Sequence, residues 1–186
     1  RGLVRIARGQ HELAIKDFDA ALRIDPEYVD AHNNRGFALL QTENFDDAIA
    51  AFSEAIKLND KYVNAWNNRG LARQKAGLHS EAAEDFTQAI ALQPDNVKYY
   101  LHRSEAYTSA GQEDLAEKDR EYVVWLQKLA DLNRAVGRSP RDSNHWVARG
   151  RHLLEQDKLE QAMGNFNHAL QLDPDNAQAY FSRAVV

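Results

Sequence analysis

Three sets of residues have types and spacing suited to chemistry: seven histidines, two Asn-Asn pairs, and a file of arginines at regular intervals. The histidines (His11, His32, His79, His102, His145, His152 and His168) are scattered along the chain. His145 and His152 share a helix face at i, i+7 with Glu155 a turn beyond, but that spacing is too long for one metal ion. With no cysteine, disulfides, zinc knuckles and thiol chemistry are excluded. No glycine-rich phosphate loop, nucleophile elbow or convergent carboxylate pair is present. The expectation is a chain that is not an enzyme and needs no cofactor or metal.

The arginines lead back to the elements that must position them. Arg1, Arg35, Arg69 and Arg149 each precede a glycine, Arg103 and Arg183 occupy equivalent places, and the first three Arg-Gly steps are 34 residues apart. Such a period marks a repeat array. Other types keep a fixed offset from the glycine: a ring (His32, Trp66, Tyr100, Trp146, Tyr180), then alanine (Ala14, Ala48, Ala82, Ala116, Ala162), phenylalanine (Phe18, Phe52, Phe86, Phe166, with Arg120 the exception), and a turn proline (Pro26, Pro94, Pro174). Ala48, Phe52 and Ala55 lie on one helix face, and His32, Gly36 and Leu39 on a face of the helix before. Each repeat is thus two amphipathic helices, and stacking of repeats builds the core. Glycine within a helix costs about 1 kcal/mol relative to alanine and is kept where a neighbour must come close, here expected to be the alanines of the second helix. For the arginines an internal ion pair is expected, with Asp17, Asp85, Asp119 and Asp131 as candidate acids. Pairing within a repeat finds an acid for Arg1, Arg69 and Arg103; pairing to the preceding repeat finds one for Arg35, Arg103 and Arg149. Both registers stand.

The order ring, Gly, Ala, Phe, Ala, Pro resembles the tetratricopeptide repeat family along essentially the whole chain. The resemblance implies an all-α fold, a right-handed α-α superhelix in which antiparallel helix pairs form a solenoid. The segments would be a partial repeat at 1–28, repeats at 29–62, 63–96, 97–142 and 143–176, and a partial repeat at 177–186. The 97–142 repeat carries twelve extra residues in its second helix. Because 112–136 contains no Gly or Pro, one helix of about 25 residues is expected, with Tyr122, Val124, Trp125 and Leu129 presenting apolar surface to its own array, a partner or a second copy; the alternative is that the extra turns break the helix and reset the superhelix direction.

In this family the first helices line the concave groove. Carried onto this chain, the groove positions include Asn33, Asn34, Phe37 and Leu40, then Asn67, Asn68, Leu71 and Lys75, then Lys98, His102 and Glu105, and later Arg151. The recurring Asn pairs resemble an asparagine ladder that holds extended peptides, since an amide offers both donor and acceptor to a peptide backbone. Beside them runs an apolar strip, Leu3, Ile6, Phe37, Leu40 and Leu71. Each such side chain is worth about 1.5–3 kcal/mol when buried, against about 0.5–1.5 for a hydrogen bond, so Phe37 is the expected anchor. Some members clamp a C-terminal carboxylate. Here Asn68 and Lys98 match that pattern, but His102 stands where Arg is expected, and Asn33 and Phe37 where Lys and Asn are expected, which removes most of the charge complementarity.

Net charge is −5 with acids and bases interspersed, giving no basic stripe for nucleic acid, and no apolar run approaches a membrane span. The function this implies is a non-catalytic interaction scaffold that takes a peptide or helix of a protein partner in its groove. The alternatives are a targeting segment of a larger enzyme, such as a glycosyltransferase or kinase, and a self-assembling array using its ends or the long helix. The chain begins without Met beside a repeat glycine and ends inside a repeat. Further protein or a neighbouring molecule is therefore expected to cover each end, a cytoplasmic setting is favoured, and any targeting sequence would lie outside these residues.

Overall fold

The computed structural model describes residues 1–186. It consists of helices α1 (Gly2–Ala7), α2 (His11–Ile24), α3 (Val29–Gln41), α4 (Phe45–Leu58), α5 (Val63–Lys75), α6 (His79–Leu92), α7 (Val97–Ser109), α8 (Glu113–Arg138), α9 (Ser143–Leu154), α10 (Leu159–Leu172) and α11 (Ala177–Ala184). The extra residues lengthen α8 to 26 residues, about 39 Å at 1.5 Å each. Two compact units divide the chain, Arg1–Val123 and Val124–Val186, with the boundary inside α8.

In the first unit each helix from α2 to α6 packs on the helix before it and on the one after. The odd helices also touch one another, α3 with α5 and α5 with α7, whereas α2, α4 and α6 make no comparable contacts. The odd row is therefore the inside of a curve. Its core repeats one interlock: Gly2, Gly36 and Gly70 face the rings of Phe18, Phe52 and Phe86, and a Cβ on any of the three glycines would stand 2.7 Å from a ring carbon. At the fourth pair both members change together, to Ser104 and Arg120. Ser104 Oγ turns to Leu101 O, and Arg120 swings outward to Glu113 and Glu117.

The ring positions serve the turns. His32 Nε2 bonds Pro26 O at 2.8 Å, and Trp66, Tyr100 and Trp146 donate to the carbonyls of Asp60, Pro94 and Pro140. At Trp66, Tyr100 and Trp146 the arginine three residues on lies over the ring, adding cation–π attraction. Each turn between first and second helix passes through a left-handed residue: Gly9, Glu43, Gly77, Gly111 and Asp157. Glu43 and Asp157 hold there a conformation that glycine adopts without steric cost.

The arginine partners use both registers. Each guanidinium sits between position i+16 of its own repeat and i−16 of the preceding one. Arg35 takes Asp19 at i−16, where i+16 is Ala51. Arg69 takes Asp85 at i+16 and Ser53 at i−16. Arg103 takes Asp119 and Thr87 in the same way. Four expected pairs do not form, Arg1–Asp17, Arg35–Asp17, Arg103–Asp85 and Arg149–Asp131, and the acid that Arg35 takes, Asp19, lies outside the expected set. Asp17 pairs with Arg5 rather than Arg1. Asp131 pairs with Arg134, and Arg149 bonds the amides of Asn165 and Asn133.

Tyr62 Oη donates to Asp30 Oδ1 at 2.5 Å. Burial, then the hydrogen bond and charge of Asp30, push its pKa from 10.0 up to about 12. Tyr100 also rises to about 12, through burial and then its neighbour Tyr122. A raised folded-state pKa gives support that is full below the ordinary value and lost as pH climbs through the raised one. Stability contributed by these phenols should therefore fall between pH 10.0 and about 12. Tyrosinate absorbance against pH checks this: Asp30→Asn should return Tyr62 part of the way and leave Tyr100 unmoved.

In the second unit α9 and α10 form a pair and α11 packs on both. Gly150 faces Phe166 as its counterparts do in the first unit. Trp125 is 5 % exposed. Its indole donates to His152 O, while His152 Nε2 bonds Trp125 O, and the two rings stack at 5.0 Å. The apolar surface expected along the long helix is thus taken up by this chain at Trp125 and stays exposed at Val124.

Candidate functional site

The odd helices of the first unit bring polar side chains from three repeats into one hydrogen-bonded line. His102 Nδ1 lies 2.9 Å from Asn67 Oδ1, Asn67 Nδ2 donates to Asn68 Oδ1 at 3.2 Å, and Asn68 Nδ2 donates to Asn33 Oδ1 at 3.0 Å. Because Asn67 presents an oxygen, the imidazole proton sits on Nδ1 and Nε2 keeps its lone pair. Burial, aided by the charge of Lys98 and opposed by Glu105, lowers the His102 pKa, so the ring is neutral at pH 7. Its face packs on Phe86 with centroids 5.3 Å apart.

The line leaves capacity unused. An amide has two N–H donors and an oxygen with two lone pairs. Asn67 and Asn68 each spend one donor within the line, and Asn33 spends none of its own. One end is thus rich in donors at Asn33, and the other ends on the open acceptor His102 Nε2. Asn33 and Asn67 are buried while Asn68 and His102 are half-buried, so the line is part wall and part rim.

The other expected residues fall into three settings. Phe37 and Leu40 are half-buried against the cluster of Leu39, Ala48 and Phe52, and Leu71 packs against Ala83 and Phe86. Each therefore shows only part of its apolar surface to the groove. Asn34 lines a cleft of about 310 Å³ with Leu3, Tyr28, Asp30 and Phe18. Lys75 and Lys98 are exposed at opposite ends of their helices, the last turn of α5 and the first of α7. Glu105 lines a second cleft, of about 500 Å³, with Gln74, Thr108 and Arg120, and Gln74 Nε2 reaches Glu105 at 3.5 Å. Arg151 belongs to the second unit, where its Nε donates to Ser182 Oγ at 2.8 Å.

Arg120 is the cleft residue that groove positions alone do not nominate. Its signal in the sequence is the break in the phenylalanine file. Without a ring beneath Ser104, the cation turns out to Glu113 and Glu117 and becomes a wall of the cleft. No group of three or more His, Asp or Glu side chains is placed to hold a metal ion. No helix is long and apolar enough to cross a membrane.

Comparison with known proteins agrees with this architecture. A TPR repeat model matches residues 2–43 and 150–186, and a Tetratricopeptide repeat model matches 29–62 and 63–96. No match is found among curated proteins. Among solved structures, MamA aligns over 95 % of this chain and 96 % of its own, at 20 % identity and a TM-score of 0.63. The first TPR of Spaghetti (RPAP3), bound to the HSP90 peptide SRMEEVD, aligns over 59 % of this chain and 87 % of its own, at 24 % identity and 0.58. The second TPR domain of human RPAP3, in complex with the HSP70 peptide SGPTIEEVD, covers 57 % and 88 % at 28 % identity and 0.56. Paired helices, the glycine–phenylalanine interlock at four of five pairs, and repeat-model matches over residues 2–96 and 150–186 have one common account: the chain belongs to the tetratricopeptide repeat family.

Proposed function

We propose that this protein is a non-catalytic scaffold that holds a segment of a partner protein along the odd-helix face of its first unit. The observation that carries the reading is the line His102–Asn67–Asn68–Asn33, which joins three helices and still offers unspent donors and acceptors. An extended main chain presents the matching groups at every residue whatever its side chains, and so can be held along such a row. Family relatives of known structure carry peptides, which supports a peptide as the ligand class. The half-exposed edges of Phe37, Leu40 and Leu71 would then meet ligand side chains. The clefts beside Asn34 and Glu105 would set which residues fit.

A peptide selected from a random display library against the whole chain provides the probe. Phe37→Ala should weaken its binding about tenfold or more, and Asn68→Ala about two- to tenfold, from typical burial and hydrogen-bond values. Both variants should keep the helical signal and cooperative melting. Unchanged affinity in both would sink the proposal.

A further inference from the structure

Arg35, Arg69, Arg103 and Arg149 have both flanking positions within the chain, and three of the four meet one carboxylate there. Arg149 meets none and forms no ion pair; its neighbours at i+16 and i−16 are Asn165 and Asn133. The difference lies in one oxygen. At Arg69 and Arg103 the fork of Nε and Nη2 is filled by both oxygens of an aspartate. At Arg149 the amide of Asn165 supplies one oxygen, to Nε at 2.7 Å, and turns its Nδ2 away to Gln161 O. Nη1 is taken by Asn133 at 3.1 Å. Nη2 has no partner, and it is not among the enclosed polar atoms, so it is open to solvent.

The surroundings hold the cation in place. The guanidinium lies 4.6 Å over the Trp146 ring, which is braced by the Trp146 indole bond to Pro140 O and by His168 at 4.0 Å. Burial opposes the charge of Arg103, but Asp119 more than offsets it and the pKa is raised. At Arg149 burial acts without such compensation and the pKa is lowered. A half-buried, aromatic-backed guanidinium with one arm free is built to take an oxyanion.

We propose that Arg149 is a second, independent binding site: its open Nη2 arm accepts the carboxylate of an acidic side chain from a partner protein, supplying the acid that the other rungs carry internally. The site lies where α9 faces α8 and α10, in the second unit. It does not depend on the groove reading.

The test uses the whole chain and the probe acetyl-Glu-Glu-Glu-amide, with acetyl-Gln-Gln-Gln-amide and inorganic phosphate as the other arms. The Arg149 Nε–H and Trp146 indole N–H resonances are followed by NMR. The glutamate peptide should shift both, saturably, and the glutamine peptide neither. Asn165→Asp restores the bidentate pair seen at Asp85 and Asp119; it should raise the melting temperature and weaken the response about tenfold or more. Arg149→Lys, which removes the Nη2 arm, should abolish the Trp146 shift. No response in the wild-type chain, or one that survives Asn165→Asp unweakened, would overturn the site. A shift with phosphate but none with the glutamate peptide would overturn the carboxylate assignment.

Discussion

Replacing Asp85 by alanine is expected to cost the first unit about 3–5 kcal/mol, the usual penalty for removing one partner of a buried ion pair. Asp85 is 1 % exposed and carries two cations: Arg69 through two hydrogen bonds, at 2.7 and 3.0 Å, and Arg73 at 2.8 Å. Without it, a guanidinium whose side chain is 13 % exposed keeps only Ser53. Since domains have only about 5–15 kcal/mol of stability, this one change removes a large share of the margin. Urea denaturation measures it directly. Two comparisons separate the charge from the space it fills. Asp85→Asn should cost less, because the amide oxygen can still take Nε as Asn165 does at Arg149. The double variant Arg69→Met, Asp85→Leu should recover much of the loss, because an apolar pair leaves no bare charge.

Truncation of Phe86 to alanine is expected to cost about 3–5 kcal/mol through lost burial and the cavity left behind. Phe86 is fully buried, with Gly70 on one side and the His102 ring on another. The interlock makes a sharper forecast in a double-mutant cycle. Gly70→Ala alone drives a Cβ to 2.7 Å from the Phe86 ring, and overpacking of this kind costs about 1–3 kcal/mol. In the Phe86→Ala background the ring is gone, and the same substitution should stabilise by about 1 kcal/mol, the helix preference of alanine over glycine. The sign of Gly70→Ala should therefore reverse with its partner. A like sign in both backgrounds would mean that the ring does not set the glycine.

Much of this architecture could be read from residue types alone. The 34-residue beat and the files of rings, glycines and phenylalanines required only helical periodicity, but the glycine's close neighbour was not legible: the second-helix alanines were expected there, and the longer phenylalanine side chain reaches across instead. The departure at Arg120 was visible too, although the direction in which it turns depends on Glu113 and Glu117, two turns and one turn before it in the helix. The arginine partners were harder. A guanidinium between helices can reach a residue sixteen positions either way, and the choice follows whichever side offers an acid, so neither register alone predicts the set. Arg149 shows the limit: Asp131 lies near the right place in the sequence, yet the helix phase brings Asn133 to the site instead. The amides were expected singly, as groove residues, and not as a connected line. Equivalent residues lie 34 apart, whereas the bonds join residues 35 apart, Asn33 to Asn68 and Asn67 to His102. Neighbouring helices meet on a diagonal, which the repeat period does not encode. Burial of Trp125 was hidden for a similar reason, since its partner His152 comes from another helix and bonds through its backbone as well as its ring.

The proposed seating of a peptide main chain along the line from His102 to Asn33 is tested by NMR titration of the side-chain amides of Asn33, Asn67 and Asn68 with a library-selected peptide. These amide resonances should shift together and saturate at the affinity measured for the whole chain, with the His102 ring moving in step. A peptide that binds with full affinity while leaving all three amides and His102 unshifted would contradict it.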